Sequence, residues 1–416
     1  MITKISRWLE TDFHYVLKGS FWLTTARVVT SGSSFVLAIA FAHLLSKQDY
    51  GVYKYVLSMV AALSALSLTG LNTSIVQSVA RGFEHIARTS LWTNIKWSIG
   101  MIVVTIGIAV YYATQGNFTL ALSFATAALF APILNGALLY RSYLNGKKSF
   151  KALAWHNSLS ALIPAIIIIL GLLVTANPWI LILIYFVGNT ATALIIYFYI
   201  LRKYQPNNKI DENTNRYSQH LSGIYILDTI ATNLDKVLLF QHLGGVSLAV
   251  YSFAIAIPEQ LRALLGIIPT LAIPKLAEKS DKDIQRVIYR KITKLFLITI
   301  PIIIIYFFAA PLLYRLLFPQ YLESIQYSRF FALIMLVEGG LAGAVFKAKM
   351  AIKEQYILNV SSNIIKIGLL WGLMLIYGIW GIIAARIISR FISFGLALFL
   401  LKRWREPSEP RPINTI

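Results

Sequence analysis

The chain has 416 residues and no cysteine. That absence removes a disulfide framework, a thiolate nucleophile and any cysteine-ligated metal centre. Charge is also scarce, with Asp, Glu, Lys and Arg together making 13% of the residues against about 25% in an average soluble domain. A water-soluble protein of this length could not dress its surface with so few, which all but excludes a soluble enzyme. Acids are the scarcer sign, 17 against 38 Lys+Arg, for a net charge of +21. The 6 histidines are scattered, without metal-ligand spacing or an H-E-x-x-H. No G-x-x-x-x-G-K-[ST] sequence exists to cradle a nucleotide, so ATP is not the direct driver and no cofactor is expected.

What the chain has in abundance is apolar sequence, 57% of all residues. About 20 mainly apolar residues cross the hydrocarbon core of a bilayer. Twelve such stretches are present, near 20–42, 52–79, 91–112, 119–143, 153–175, 179–201, 221–241, 248–274, 295–317, 329–350, 357–377 and 379–401. The expectation is an all-α polytopic membrane protein. The short connectors leave no room for a soluble catalytic domain.

Basic residues orient it. One set of connectors carries 26 of the Lys and Arg residues, among them Arg81, Arg88, Lys147, Lys148, Lys151, Arg202 and Lys203, while the opposite set carries only Lys47. The rich side faces the cytoplasm and holds both termini. Nucleic acid, which a pI near 9.9 would otherwise suggest, is not a partner. Residues 1–18 mix Trp8, Leu9, Phe13, Val16 and Leu17 with charges, as an interfacial amphipathic segment does. A cleaved signal is disfavoured, because the following stretch is too long and contains Arg27. Asp49 reads as the cap of the second span.

The chain also repeats itself. His43-Leu44, Tyr53 and Val79-Ala80-Arg81 correspond to His242-Leu243, Tyr251 and Leu276-Ala277-Glu278-Lys279. Tyr140-Arg141, Lys147, Phe150 and Asn157 correspond to Phe346-Lys347, Lys353, Tyr356 and Asn363. Six spans per half preserve orientation, so the repeat is parallel, an arrangement found in alternating-access transporters. The expected organisation is a lobe over 19–201, a cytoplasmic linker over 202–218, a second lobe over 219–401 and a tail over 402–416.

Three segments carry a family resemblance. They are Leu45-Ser46-Lys47-Gln48-Asp49-Tyr50-Gly51-Val52-Tyr53, Leu234-Asp235-Lys236 through Val250-Tyr251, and Leu316-Leu317-Phe318-Pro319-Gln320-Tyr321. With the twelve-span plan, they resemble the polysaccharide (O-antigen, Wzx-type) flippases of the multidrug/oligosaccharidyl-lipid/polysaccharide (MOP) exporter superfamily. Ala249 departs from the glycine usual before x-Tyr. The resemblance implies a MATE-like pair of six-helix bundles in the bacterial inner membrane. It also implies passage of undecaprenyl-diphosphate-linked oligosaccharide to the outer leaflet by a monomeric transporter. Membrane lipids surround it, and polysaccharide polymerase and glycosyltransferases stand as further partners. Two readings remain beside it: a multidrug/cation antiporter of the same superfamily, and a non-transporting scaffold of a polysaccharide assembly complex. A membrane glycosyltransferase or ligase would need a larger outer loop than any here.

Ionisable residues in mid-span cost about 2.5–3.5 kcal/mol each on insertion scales and mark function. The spans hold more cations than acids, which suits an anionic cargo. Candidate substrate ligands are Arg27, Arg262, Lys366, Arg386 and Arg390. Arg27 shares a polar face with Thr24, Ser31 and Ser34, where an arginine could grip a phosphate bidentately or pair with a carboxylate elsewhere. Asp228, Asp235, Lys236, Glu259 and Glu338 are read as coupling or internal-pairing residues. Glu259 and Arg262, three apart, could equally neutralise each other. Lys54, Lys96, Arg141, Arg315 and Arg329 lie near span ends, where snorkelling to the headgroups is the simpler reading.

Overall fold

The computed structural model describes residues 13–211, 213–265, 281–337, 343, 345, 346 and 351–404. Among them the regular structure is entirely helical, so the all-α expectation holds. Thirteen α-helices follow one another: α1 Phe13–Leu44, α2 Lys47–Leu63, α3 Leu71–Ala80, α4 His85–Trp97, α5 Ile99–Thr114, α6 Phe118–Ala137, α7 Tyr140–Gly146, α8 Phe150–Val174, α9 Pro178–Tyr204, α10 Asn213–Leu265, α11 Asp281–Leu317, α12 Ser324–Phe331 and α13 Ile352–Arg403. Among the described residues, seven helical stretches are long and apolar enough to cross a membrane, or nine with two bent pairs counted as one span each.

Two of the seven are double. A helix rises about 1.5 Å per residue, so 20 residues already span the hydrocarbon; α10 has 53 residues and α13 has 52. Each turns back on a glycine with positive φ, Gly244 at +78° and Gly378 at +54°, backbone that a side chain rarely tolerates. Counting each as two brings the candidate spans of the described residues to eleven. The remaining expected span, 329–350, is described only in part, over 329–337, 343, 345 and 346.

Local chemistry sets the helix ends. The structure corrects one detail: Ser46, not Asp49, caps α2. The Ser46 hydroxyl oxygen accepts from the Asp49 backbone N–H (3.1 Å) and donates to the Asp49 carboxylate (2.6 Å). Asp49 thus takes the third helical position, where its carboxylate favours the helix N-terminus. Asn117 and Asn177 cap α6 and α9 in the same manner.

The chain divides into two compact units, Met1–Asn233 and Leu234–Ile416. In the first, three successive spans are interrupted. The α2–α3 pair bends by 59° and the α4–α5 pair by 43°. Ser64 and Ser67 donate back to the carbonyls of Ala61 and Ser64, both at 2.6 Å, and Ser98 donates to Asn94 at 2.7 Å. Such side-chain bonds compete with the helical ladder. Pro132 removes a donor within α6, and its own carbonyl accepts from Asn94 Nδ2 (3.1 Å).

The break before α3 also admits a close backbone approach. A Cβ on Gly70 would lie 2.3 Å from the Ser218 carbonyl oxygen and 2.6 Å from Leu221 Cβ, and the Gly70 N–H donates to Ser222 Oγ (2.8 Å). Gly70→Ala must push α10 away, an overpacking cost of about 1–3 kcal/mol. Gly107→Ala, where a Cβ meets nothing within 4 Å, serves as its control. Melting in detergent should show Gly70→Ala several degrees below the parent and Gly107→Ala at or above it. Equal melting of the two variants would refute the close-approach reading.

The segment expected as a linker is tied to this first unit. Arg88 donates to the Pro206 carbonyl (2.6 Å), Asn207 Nδ2 to the Gly82 carbonyl (3.0 Å), and Arg81 pairs with Asp211. Beside them Glu84, 8% exposed, accepts from Tyr143 (3.1 Å) and Lys147 (2.7 Å). Aromatic rings pair with cations at the basic ends: Lys151 lies 5.5 Å over the Trp22 ring and Lys203 5.5 Å over Tyr199.

In the second unit an aromatic group fastens α11 and its following turn to the second half of α10. Phe253 meets Tyr321 at 4.0 Å and Phe318 at 5.0 Å between ring centres, and Tyr314 donates to the Phe253 carbonyl (2.7 Å). Ser324 adds a bond to the Val250 carbonyl (2.9 Å).

Candidate functional site

Within the second unit, α10 and α13 bring five of the sequence-selected residues together around one guanidinium. Arg386 Nη1 donates to the Tyr251 hydroxyl (2.9 Å) and to Asp235 Oδ2 (3.3 Å), and Nη2 donates to Glu259. Its carbon sits 4.8 Å over the Phe331 ring. The Tyr251 hydroxyl passes its proton toward Asp235 Oδ2 at 2.5 Å. Asp235 is 1% exposed and takes its remaining bond from the Lys236 backbone N–H (2.8 Å), with the Lys236 ammonium 3.8 Å away. Glu259 carries a second arginine, Arg262, whose Nε donates at 2.8 Å. Lys366 completes the group electrostatically, its charge acting on Asp235.

Helix geometry explains the convergence. The break at Gly244 folds α10 back so that Asp235, before it, and Tyr251 and Glu259, after it, face a shared partner. Tyr251 and Glu259 are eight residues apart, close to two turns and one helical face. Arg386 reaches both carboxylates because its planar fork presents several donors at once. Among the described residues, two carboxylates face the cations Arg386, Arg262, Lys236 and Lys366. The array holds a fixed surplus of positive charge among apolar helices, and charges there act with little screening.

Tyr251 and Phe331 were not selected as site residues, although Tyr251 was visible in the repeat. Its counterpart Tyr53 is equally buried, but its ring neighbours are Phe41 at 4.7 Å, Tyr185 at 6.1 Å and Tyr50 at 6.5 Å. The repeat keeps the tyrosine and changes its surroundings from aromatic to ionic. Tyr251→Phe removes one bond to each of two charged groups, worth about 1.5–3 kcal/mol apiece at most. The variant should therefore melt measurably lower than a Tyr53→Phe control. An unchanged melting temperature would remove Tyr251 from the network.

Arg27 is exposed on α1 and makes no ion pair among the described residues. Asp228 is exposed, and Arg390 is half-buried on α13. Glu338 lies outside the described residues. Arg329, expected to snorkel, donates to the Phe307 carbonyl (2.8 Å) and covers that ring at 4.5 Å.

The first unit contains a second polar feature that sequence reasoning missed. A cleft of about 230 Å³ is lined by Ser64, Ser67, Thr69, Asn72, Asn94, Asn135 and Arg141, with Leu68, Leu138 and Leu139. Every one of these residues lies at or near an interruption in α2–α3, α4–α5 or α6–α7. The sequence signal was available in the serine, threonine and asparagine residues at mid-span, but periodicity does not show that three breaks meet.

Comparison with known proteins follows the same lines. The family model described as "Polysaccharide biosynthesis protein" matches residues 16–279. The succinoglycan biosynthesis transport protein ExoT of Rhizobium meliloti (strain 1021) is 24% identical over 257 residues, covering 59% of this chain and 51% of that protein. The chain thus spans about half the length of the curated relative it matches. Among solved structures, the lipid II flippase MurJ in an inward closed conformation superposes with a TM-score of 0.66 at 13% identity, over 93% of this chain and 87% of that one. A MOP superfamily transporter from Pyrococcus furiosus Vc1 (DSM3638) gives 0.61 at 13% identity, over 93% and 96%. A MATE structure in complex with MaD5 gives 0.61 at 14%, over 94% and 97%. These likenesses establish the MOP transporter fold that the sequence resemblance implied.

Proposed function

We propose, for a chain that belongs to the polysaccharide biosynthesis protein family, that it is a flippase for undecaprenyl-diphosphate-linked oligosaccharide. It carries the repeat unit from the cytoplasmic to the outer leaflet by alternating access, as a transporter and not an enzyme. The observation that carries the reading is the charge balance of the α10–α13 cluster. Two carboxylates hold Arg386 in place, and the cluster keeps more cations than acids among the described residues, as an anionic diphosphate requires. A diphosphate moving through a low-dielectric bundle needs fixed counter-charges, and guanidinium forks match phosphate oxygens bidentately. Arg27, exposed and without an ion pair among the described residues, is the ligand proposed from the first unit. Asp235 and Glu259 act as internal partners that fix the arginines, and Asp228 remains the candidate for ion coupling.

The polyprenyl tail stays in lipid while the headgroup and sugars cross. The cationic connectors set the orientation, with both termini cytoplasmic in a bacterial inner membrane. A cation antiporter is disfavoured because the spans of the first unit through residue 201 contain no Asp or Glu. Deleting the protein should cause an undecaprenyl-linked oligosaccharide to accumulate on the cytoplasmic leaflet, read by extraction and mass spectrometry of membrane lipids. A lipid profile identical to that of the parent would overturn the proposal.

A further inference from the structure

The polar cleft of the first unit plays no part in the charge argument, yet it has the chemistry of a ligand site. Polar groups in a membrane-embedded bundle find partners or cost free energy. Three here have unspent capacity among the described residues. The Thr69 hydroxyl oxygen is buried with no hydrogen-bond partner. Asn135, half-buried, donates and accepts no bond within the protein among the described residues. The Arg141 side chain spends only Nε, at 3.5 Å from the Tyr140 hydroxyl, and leaves both terminal nitrogens available. Neighbouring Asn72 and Asn94 are held, Asn72 by Ser142 (3.2 Å) and Asn94 by the Pro132 carbonyl (3.1 Å).

We infer that this cleft binds a carbohydrate ring of the transported lipid, through Thr69, Asn135 and Arg141. The inference rests on the flippase reading and deepens it by separating two tasks. The α10–α13 cluster meets the diphosphate, while the cleft reads the sugar. Carbohydrate hydroxyls both donate and accept, as do the hydroxyl of Thr69 and the carboxamide of Asn135. Arg141 adds donors without a competing carboxylate, since no acid lines the cleft. Its 230 Å³ is ample for several water molecules and leaves room for a sugar ring. Interrupted helices at membrane depth supply such sites in other transporters, because the breaks turn backbone and short side chains toward the cavity. Specificity of this kind depends on satisfied polar groups: a ligand lacking the sugar leaves them unpaired.

The test compares two probes on the intact protein in proteoliposomes: undecaprenyl diphosphate itself, and the undecaprenyl-diphosphate-linked oligosaccharide extracted from the deletion strain. The parent should move the linked oligosaccharide at least tenfold faster than the bare lipid. Asn135→Leu, which keeps the volume and removes the amide, should bring the oligosaccharide down to the bare-lipid rate and leave the bare lipid unchanged. Thr69→Val, isosteric and likewise without a hydroxyl, is the second variant, and melting in detergent verifies that both fold. Undiminished preference in both folded variants overturns the inference. An equal loss of both probes also overturns it, since the cleft would then serve the phosphate or the fold. If the parent moves neither probe, the flippase reading itself fails, an outcome distinct from the other two.

Discussion

Arg386→Ala should deplete the folded protein from the membrane and abolish transport with it. The substitution strands the Asp235 carboxylate, 1% exposed, and the Glu259 carboxylate without the guanidinium that both face. Removing one partner of a buried ion pair costs about 3–5 kcal/mol, because the charge left behind is uncompensated. That is a large part of the roughly 5–15 kcal/mol that holds a typical domain folded. Arg386→Lys should recover only part of the loss, since one ammonium cannot serve Asp235, Tyr251 and Glu259 at once. Fluorescence-detected gel filtration separates these cases. Normal folding of Arg386→Ala would show that the network is not as described.

Arg27→Ala should have the opposite signature: normal insertion and melting, with transport abolished. Arg27 is exposed and makes no ion pair among the described residues, so no ion pair among them is lost. A charged residue in a membrane span carries an insertion cost of about 2.5–3.5 kcal/mol, and a structural reason for bearing it is absent among the described contacts. A phosphate ligand supplies a functional one. Arg27→Lys should restore a minor fraction of flux, since lysine offers a point charge and not a fork. Full flux in vesicles carrying Arg27→Ala would remove Arg27 from the site.

The contrast between the two arginines shows where sequence reading reached and where it stopped. Hydropathy length disclosed the helices, because a bilayer imposes it on every crossing segment. Mid-span charge singled out Arg386, Asp235, Glu259, Arg262 and Lys236, since cost makes such residues conspicuous. Which charges meet depends on the fold-back at Gly244, a tertiary outcome with no local pattern. Asp228 and Asp235 share a helical face in projection, yet one is exposed and the other buried. The segments that carried the family resemblance divide between two tasks. Phe318 and Tyr321 pack on Phe253 and report the architecture, while Asp235, Lys236 and Tyr251 belong to the charge cluster. The cleft at Thr69, Asn135 and Arg141 was illegible for a different reason: uncharged polar residues are cheap enough in a membrane span to pass without notice. Arg141 looked like a snorkelling end residue until three helix breaks brought it beside them.

Transport of the anionic lipid is the central claim, and reconstitution tests it most directly. Purified protein in liposomes, loaded with undecaprenyl-diphosphate-linked oligosaccharide in the inner leaflet, should expose the sugar to an external glycosidase at a rate well above that of protein-free vesicles. Arg27→Ala vesicles should match the protein-free control. Protein-free rates with the parent protein, together with proton-driven movement of a cationic dye such as ethidium, would contradict the account and favour an antiporter.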